Sequence, residues 1–342
     1  MKITKKLCTY FRSILSHKLS TSSFKSNGKT AVPGLLLLLA LLSAVALHPG
    51  TARGCACGCG IFDVGSSQML PNQPGGMLTL EYDFQNQYHN WSGSSSAPPG
   101  NNDDKVIRTS FVTVGMLYMF NKGWGMSLDV PFANRYFQTT SEDTGDLVST
   151  SWNALGDIRI KGVYTGFSQD MSTGLEFGLR LPTGDWEYSA PGVNVDRDSQ
   201  IGSGSVDFLV GAFHRQKLTP DNQWSWFAQI ESDLPAFTQG GYRPGFEIDG
   251  AAGIQFNGWS AGREKFRPVL QVKASERTSD SGPAAANPVA SGYQRVLIAP
   301  GVEFEVHPFK VYADIEIPVV EHVTGNQLVA PALFKVSVGY MF

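Results

Sequence analysis

Apolar residues recur at every second position through twelve separate segments between Met77 and Phe342. In the first, Leu78, Leu80, Tyr82 and Phe84 share one face and Thr79, Glu81, Asp83 and Gln85 the other. A period of two is the signature of a β-strand with one greasy face. The pattern returns at 112–120, 124–132, 158–164, 175–181, 206–212, 224–230, 246–256, 270–274, 296–304, 311–317 and 334–342. The interruptions alternate in length. Asn121-Lys122-Gly123, residues 168–172 and 219–222, and His307-Pro308-Phe309 are tight; residues 92–104, 141–155, 185–201 and 279–292 are long and rich in Ser, Pro, Asn and Gly.

That rhythm predicts an all-β fold: a closed antiparallel transmembrane β-barrel of twelve strands, with short periplasmic turns and long extracellular loops. An even strand count puts both chain ends in the periplasm. A soluble sandwich also alternates, but it has no use for aromatics gathered at strand ends. Here Tyr118, Phe120, Trp124, Trp224, Phe256 and Phe342 all lie beside the short turns, as an interfacial girdle would. The terminal Phe342, with apolar residues at alternate positions back to Phe334, matches the signal that such barrels present to the outer-membrane insertion machinery.

The first 52 residues read differently. They carry seven bases (Lys2, Lys5, Lys6, Arg12, Lys18, Lys25, Lys29) and no acid, then an apolar core at 35–46, which is the make-up of a secretory signal. Small residues at Ala44-Val45-Ala46 and Gly50-Thr51-Ala52 offer two cleavage sites; the reading taken is a mature start at Arg53. The expected organisation is therefore signal 1–52, a periplasmic cysteine-containing segment 53–76 and an outer-membrane barrel 77–342. Removing the seven bases from 27 Lys and Arg leaves 20 against 30 Asp and Glu, a mature charge near −10 that disfavours a nucleic-acid partner.

Once the apolar face is given to lipid, the polar face must line an interior, because a charge on the lipid side costs about 2–4 kcal/mol at mid-depth. The expected lining includes Asp157, Arg159, Lys161, Arg180, Glu231, Asp233, Glu247, Asp249, Lys273, Arg277, Glu303 and Glu305, with Arg108 and Lys335 among the further bases and Glu81, Asp83, Asp129, Glu176, Asp207, Asp314 and Glu316 among the further acids. Two readings follow. The charges pair across strands and fill a narrow barrel, or they line a conduit that prefers cations.

Cys55, Cys57 and Cys59 form a C-x-C-x-C run beside the cleavage site. Three thiols at that spacing suit a soft metal ion, such as Cu(I) or Zn, completed by a ligand from elsewhere. A disulfide with one spare thiol, contact with a periplasmic protein partner, and lipid attachment at Cys55 are the other readings; Arg53 is out of place in a lipid-attachment signal. No enzyme is expected. Gly258-Trp259-Ser260-Ala261-Gly262 has the form of a nucleophile elbow but is followed by another strand rather than a helix. The histidines are scattered, without metal-ligand pairing.

Three segments carry a family likeness: Leu155-Gly156-Asp157-Ile158-Arg159-Ile160-Lys161, Gly178-Leu179-Arg180-Leu181-Pro182-Thr183-Gly184-Asp185 and Gly202-Ser203-Gly204-Ser205-Val206-Asp207-Phe208. Together they resemble the MetA-pathway of phenol degradation family of outer-membrane β-barrel transporters. The resemblance implies a channel or transporter for small, aromatic or hydrophobic solutes and brings no catalytic residues. The alternative is a non-conducting structural or docking barrel that binds a metal or periplasmic partner through the cysteine segment, which is no part of the matched motifs.

Overall fold

The computed structural model describes Gly65 and residues 70–342, apart from Glu142, Arg263 and residues 286–289. Cys55, Cys57 and Cys59 and the expected signal lie outside the described residues. Twelve antiparallel strands form a closed barrel: β1 Gly75–Gln87, β2 Asp104–Met119, β3 Trp124–Thr140, β4 in two parts at Leu147–Leu155 and Ile158–Tyr164, β5 Thr173–Leu181, β6 Ser205–Lys217, β7 Trp224–Thr238, β8 Glu247–Phe256, β9 Glu264–Arg277, β10 Tyr293–Val306, β11 Phe309–Val329 and β12 Leu333–Met341. Each strand pairs with its sequence neighbour, and β1 pairs with β12 from Met77↔Met341 to Gln85↔Leu333, which removes both sheet edges. The join is finished at the periplasmic end by mutual backbone bonds between Gly76 and Phe342, at 2.8 and 2.9 Å.

The outer surface follows the alternation. Leu80, Val114, Phe177, Val210 and Leu270 stand exposed while their chain neighbours are turned inward, the inverse of a soluble protein and the arrangement that lipid solvates. Around the short turns the aromatics touch in sequence: Trp124–Tyr164 at 4.7 Å, Tyr164–Phe167 at 5.0 Å, Trp224–Phe256 at 5.0 Å, Phe256–Trp259 at 5.3 Å and Phe309–Tyr340 at 5.4 Å between ring centroids. This is the periplasmic girdle.

The strands run longer than the apolar pattern. β3 and the first part of β4 continue as a paired hairpin from Phe132↔Leu155 to Thr140↔Leu147, so most of the expected loop at 141–155 is sheet and the true loop is 141–146. These residues clear the membrane, where no lipid enforces an apolar face and the alternation fades although the ladder goes on.

A barrel of this size must fill or water its inside. At the periplasmic end it is filled with apolar side chains. Met119, Val163, Met171, Phe213, Phe227, Val269 and Tyr312 form a buried cluster joined by Leu70. The register explains how the bulk fits: Gly125 stands opposite both Met119 and Val163, Gly174 opposite Phe213, Gly253 opposite Phe227 and Gly301 opposite Val269. A Cβ on Gly253 would lie 2.6 Å from the Phe227 ring, and one on Gly174 would overlap Phe213. The inward face at this level therefore alternates large and absent side chains. Burial of Leu70 here stabilises by about 1.5–3 kcal/mol.

Candidate functional site: the charged lumen and its loop cap

Above the apolar collar the lumen is lined by ion pairs. Arg159 and Lys161 on β4 reach across to β7: Arg159 Nη1 and Nη2 donate to Glu231 Oε1 at 2.9 Å and Asp233 Oδ2 at 3.0 Å, and Lys161 Nζ to Glu231 Oε2 at 2.7 Å. Arg180 on β5 joins Asp233 at 2.8 Å and pairs with Asp207. Opposite, Lys273 and Glu316 meet at 2.6 Å with both side chains fully buried, and Lys335 holds Glu81 at 3.0 Å. Gln271 Nε2 donates to Tyr312 Oη at 2.7 Å and Asp314 Oδ2 at 2.8 Å. Each pair is stranded in low dielectric, so its partners hold one another in place; a lone member would be costly.

Arg159, Lys161, Arg180, Glu231, Asp233 and Lys273 thus fall into these networks. Glu247 and Asp249 are buried on the inner face of β8, Glu247 accepting from Tyr293 Oη. Arg277 pairs with Asp280 at the extracellular end at 2.7 Å. Glu303 and Glu305 lie towards the periplasmic end, where both pair with Arg267, Glu305 at 2.8 Å. Arg108 corrects the expectation. It stands exposed with its guanidinium 5.5 Å from the Tyr136 ring centre, outside the barrel, while Ile107 and Thr109 point in. Arg108 shares parity with Val112 and Val114, so it belongs to the outer face, at a level above the apolar belt where a charge meets water.

Asp157 sits at the break in β4. Its Oδ1 accepts from Gly184 N at 3.0 Å and its Oδ2 from Ser203 N at 2.8 Å, tying both roots of the loop 182–204 to the barrel wall. Thr183 Oγ1 donates to Gly156 O at 2.8 Å and accepts from Ile158 N at 3.0 Å. Gly184 and Gly202 are packed so closely that a Cβ on either would meet the other's backbone. The three sequence segments that carry the family likeness therefore converge on one structure, the hinge of this loop.

The loop folds over the extracellular mouth. Arg135 on β3, 1% exposed, donates from Nη1 to Ser199 O at 2.6 Å and Gln200 O at 3.0 Å. Tyr188 stacks on Trp152 at 4.2 Å. Arg197 lies between Trp186 and Tyr242, its Cζ 4.7 and 4.6 Å from the ring centres, a cation–π sandwich. Tyr242 Oη then donates to Asp280 at 2.7 Å, linking this loop to the next two. Burial raises the Tyr242 hydroxyl well above its ordinary pKa, so it remains a donor. Sequence reasoning missed Arg135 by ending the third strand at Phe132; the alternation through Ala133, Arg135, Phe137 and Thr139 was the available signal. Arg197, Tyr242 and Asp280 carry no such signal, since loops meet only in three dimensions.

Between the loop cap and the collar lies a cavity of about 200 Å³. Asp129, Asp157, Arg159, Arg180 and Lys335 line it together with Phe111, Leu117, Met77 and, at its base, Leu70. Seven carboxylates and six cations face it, so the acid excess of the mature sequence is nearly cancelled at this level. Among the described residues no group of three or more His, Cys, Asp or Glu is disposed to hold a metal ion. Ser94, in the turn between short strands at His89–Gly93 and Ser95–Ser96, and His322 on β11 approach to 2.7 Å, but the other ring nitrogen has no hydrogen-bond partner among the described residues. Residues 259–261 form a short strand paired with β9, not a nucleophile elbow.

Comparison with known proteins gives a likeness of fold. The structure is similar to the COG4313 outer membrane channel from Pseudomonas putida F1, with TM-score 0.56 and 10% identity over 82% of this chain and 100% of that one. Weaker likenesses are to the β domain of the Bordetella autotransporter BrkA (TM-score 0.47, 15% identity, 79% and 100% covered) and to the TodX monoaromatic hydrocarbon channel in a deltaS2 mutant form (0.39, 8%, 78% and 90%). No protein-family model matches the chain, and no curated protein matches it. The closed twelve-strand barrel, its lipid-facing surface and the first of these likenesses define the fold as a transmembrane β-barrel, the fold of that outer membrane channel.

Proposed function

We propose that the protein is an outer-membrane channel for small solutes that combine an apolar, aromatic or aliphatic body with a polar group. The observation that carries this reading is the lumenal cavity. Its volume of about 200 Å³ is of the order that admits a small ring, since an apolar cavity of about 150 Å³ holds benzene. Its lining mixes Phe111, Leu117 and Met77 with paired arginines, lysines and carboxylates that can exchange a partner for a polar solute. The near balance of charge favours weak ion selectivity over the cation preference that the acidic sequence suggests.

The test is conductance of the purified mature chain in planar bilayers, with the reversal potential read under a salt gradient and uptake of small aromatic acids measured in proteoliposomes. Measurable conductance with a reversal potential near zero supports the reading. A second reading rests on the dry wall around Lys273 and Glu316: a barrel that conducts nothing and docks a periplasmic partner, or a soft metal ion, through Cys55, Cys57 and Cys59. Silence both in the full mature chain and in a variant lacking the residues before Gly75 would favour it and overturn the channel.

A further inference from the structure

The collar at the periplasmic end is apart from the loop cap and meets the polar networks at the Tyr312 hydroxyl, bonded to Gln271 and Asp314. Its bulk comes from inward side chains on β2, β4, β6, β7, β9 and β11, and its centre is filled by Leu70, 4% exposed, from outside the strands. Leu70 also lines the lumenal cavity, so the same side chain borders both the collar and the cavity. Five residues earlier, Gly65 is buried beside Lys273 and Gln271, with its N–H donating to Gln229 Oε1 at 3.3 Å. Gly65 and Leu70 thus both lie inside the barrel, at two levels.

The Leu70 carbonyl accepts one long hydrogen bond, 3.5 Å from Arg215 Nη1, among the described residues. What retains Leu70 is apolar contact, which has no direction and is surrendered to any apolar group of similar size.

We propose that the collar is a hydrophobic gate and apolar binding ring, that Leu70 is its stopper, and that the hydrocarbon part of a permeating solute takes the place of Leu70. This rests on the channel reading and assigns the selective step within it. A narrow apolar ring resists ions, which would have to shed water, and admits a hydrocarbon group, which gains by entering. The glycines opposite Phe213 and Phe227 already seat those rings against the wall, so the two aromatic rings bound the collar's centre without needing to move.

The experiment is single-channel recording on the mature chain with Cys55, Cys57 and Cys59 replaced by serine, comparing three variants. Leu70→Asp places a carboxylate among apolar side chains and expels the stopper. Leu70→Cys with Val269→Cys allows the stopper to be fastened by oxidation and freed by reduction. The third variant lacks the residues before Gly75. The expected result is at least a tenfold rise in open probability for Leu70→Asp, and conductance of the cysteine pair that is at least tenfold lower oxidised than reduced. A toluene-sized probe should raise conductance in the parent and not in the oxidised pair. If the truncated variant conducts while Leu70→Asp matches the parent and oxidation has no effect, Leu70 is not the stopper and the channel reading stands. If none of the three conducts, the channel reading falls and the gate with it. Heat-modifiable migration verifies each barrel, and if Leu70→Asp fails to fold, the oxidised-to-reduced ratio of the cysteine pair decides.

Discussion

Asp157 accepts a hydrogen bond from the backbone of Ser203 at 2.8 Å, although the two are 46 residues apart and a whole hairpin and loop intervene. With the second bond from Gly184, one carboxylate fixes both ends of the loop that caps the mouth. The cap is therefore a built element, with one side chain bonded to both of its roots.

Replacing that side chain frees the loop without unpicking the barrel. Hydrogen bonds to a charged acceptor contribute about 1.5–3 kcal/mol each. Asp157→Ala is expected to leave heat-modifiable migration unchanged while trypsin cleavage after Arg197 becomes at least tenfold faster in proteoliposomes. Unchanged cleavage would show that Arg135 and the aromatic sandwich hold the loop unaided.

Lys273 and Glu316 are both fully buried, so each single loss strands a charge. Glu316→Gln or Lys273→Met should destabilise the barrel by about 3–5 kcal/mol in urea unfolding from lipid, and the double replacement should recover most of that loss. Two additive single effects would mean that the pair is not coupled.

The collar is sterically matched. Gly174→Ala forces a Cβ into the Phe213 ring and should cost about 1–3 kcal/mol of stability, with Phe213→Leu in the same chain restoring it. A neutral Gly174→Ala, read by the same unfolding assay, would show slack at this level.

Asp104 stands at the extracellular tip of β2, above the apolar belt. Burial, reinforced by Asp196 and Asp103 and opposed by the Thr139 hydrogen bond and Lys105, pushes its carboxyl up to about 7. The folded state thus holds a proton that the unfolded chain releases near pH 4. The stability this contributes is complete below that pH and is lost as the pH rises through about 7. Thermal midpoints of the parent should fall between pH 5 and 8, whereas Asp104→Asn should flatten that part of the profile. Parallel profiles would place the titration elsewhere.

The sequence by itself determined the barrel, its strand count, which residues meet lipid and the charged character of the lining. Lipid imposes an apolar face on every crossing residue, and a period of two makes that requirement readable. Arg108, expected in the lumen for its charge, lies outside in the structure, where its parity with Val112 places it. Where lipid ends, the rule ends too, so the extension of β3 through Arg135 to Thr140 left only a faint trace. Partnership was decided by the tertiary structure. Closure brings β4 opposite β7 and gathers three distant segments at the Asp157 hinge. It also sets Gly174 and Gly253 against the rings of Phe213 and Phe227, and places Leu70 at the centre of a ring drawn from six strands. Those contacts depend on register and curvature around a closed sheet, which no local pattern encodes.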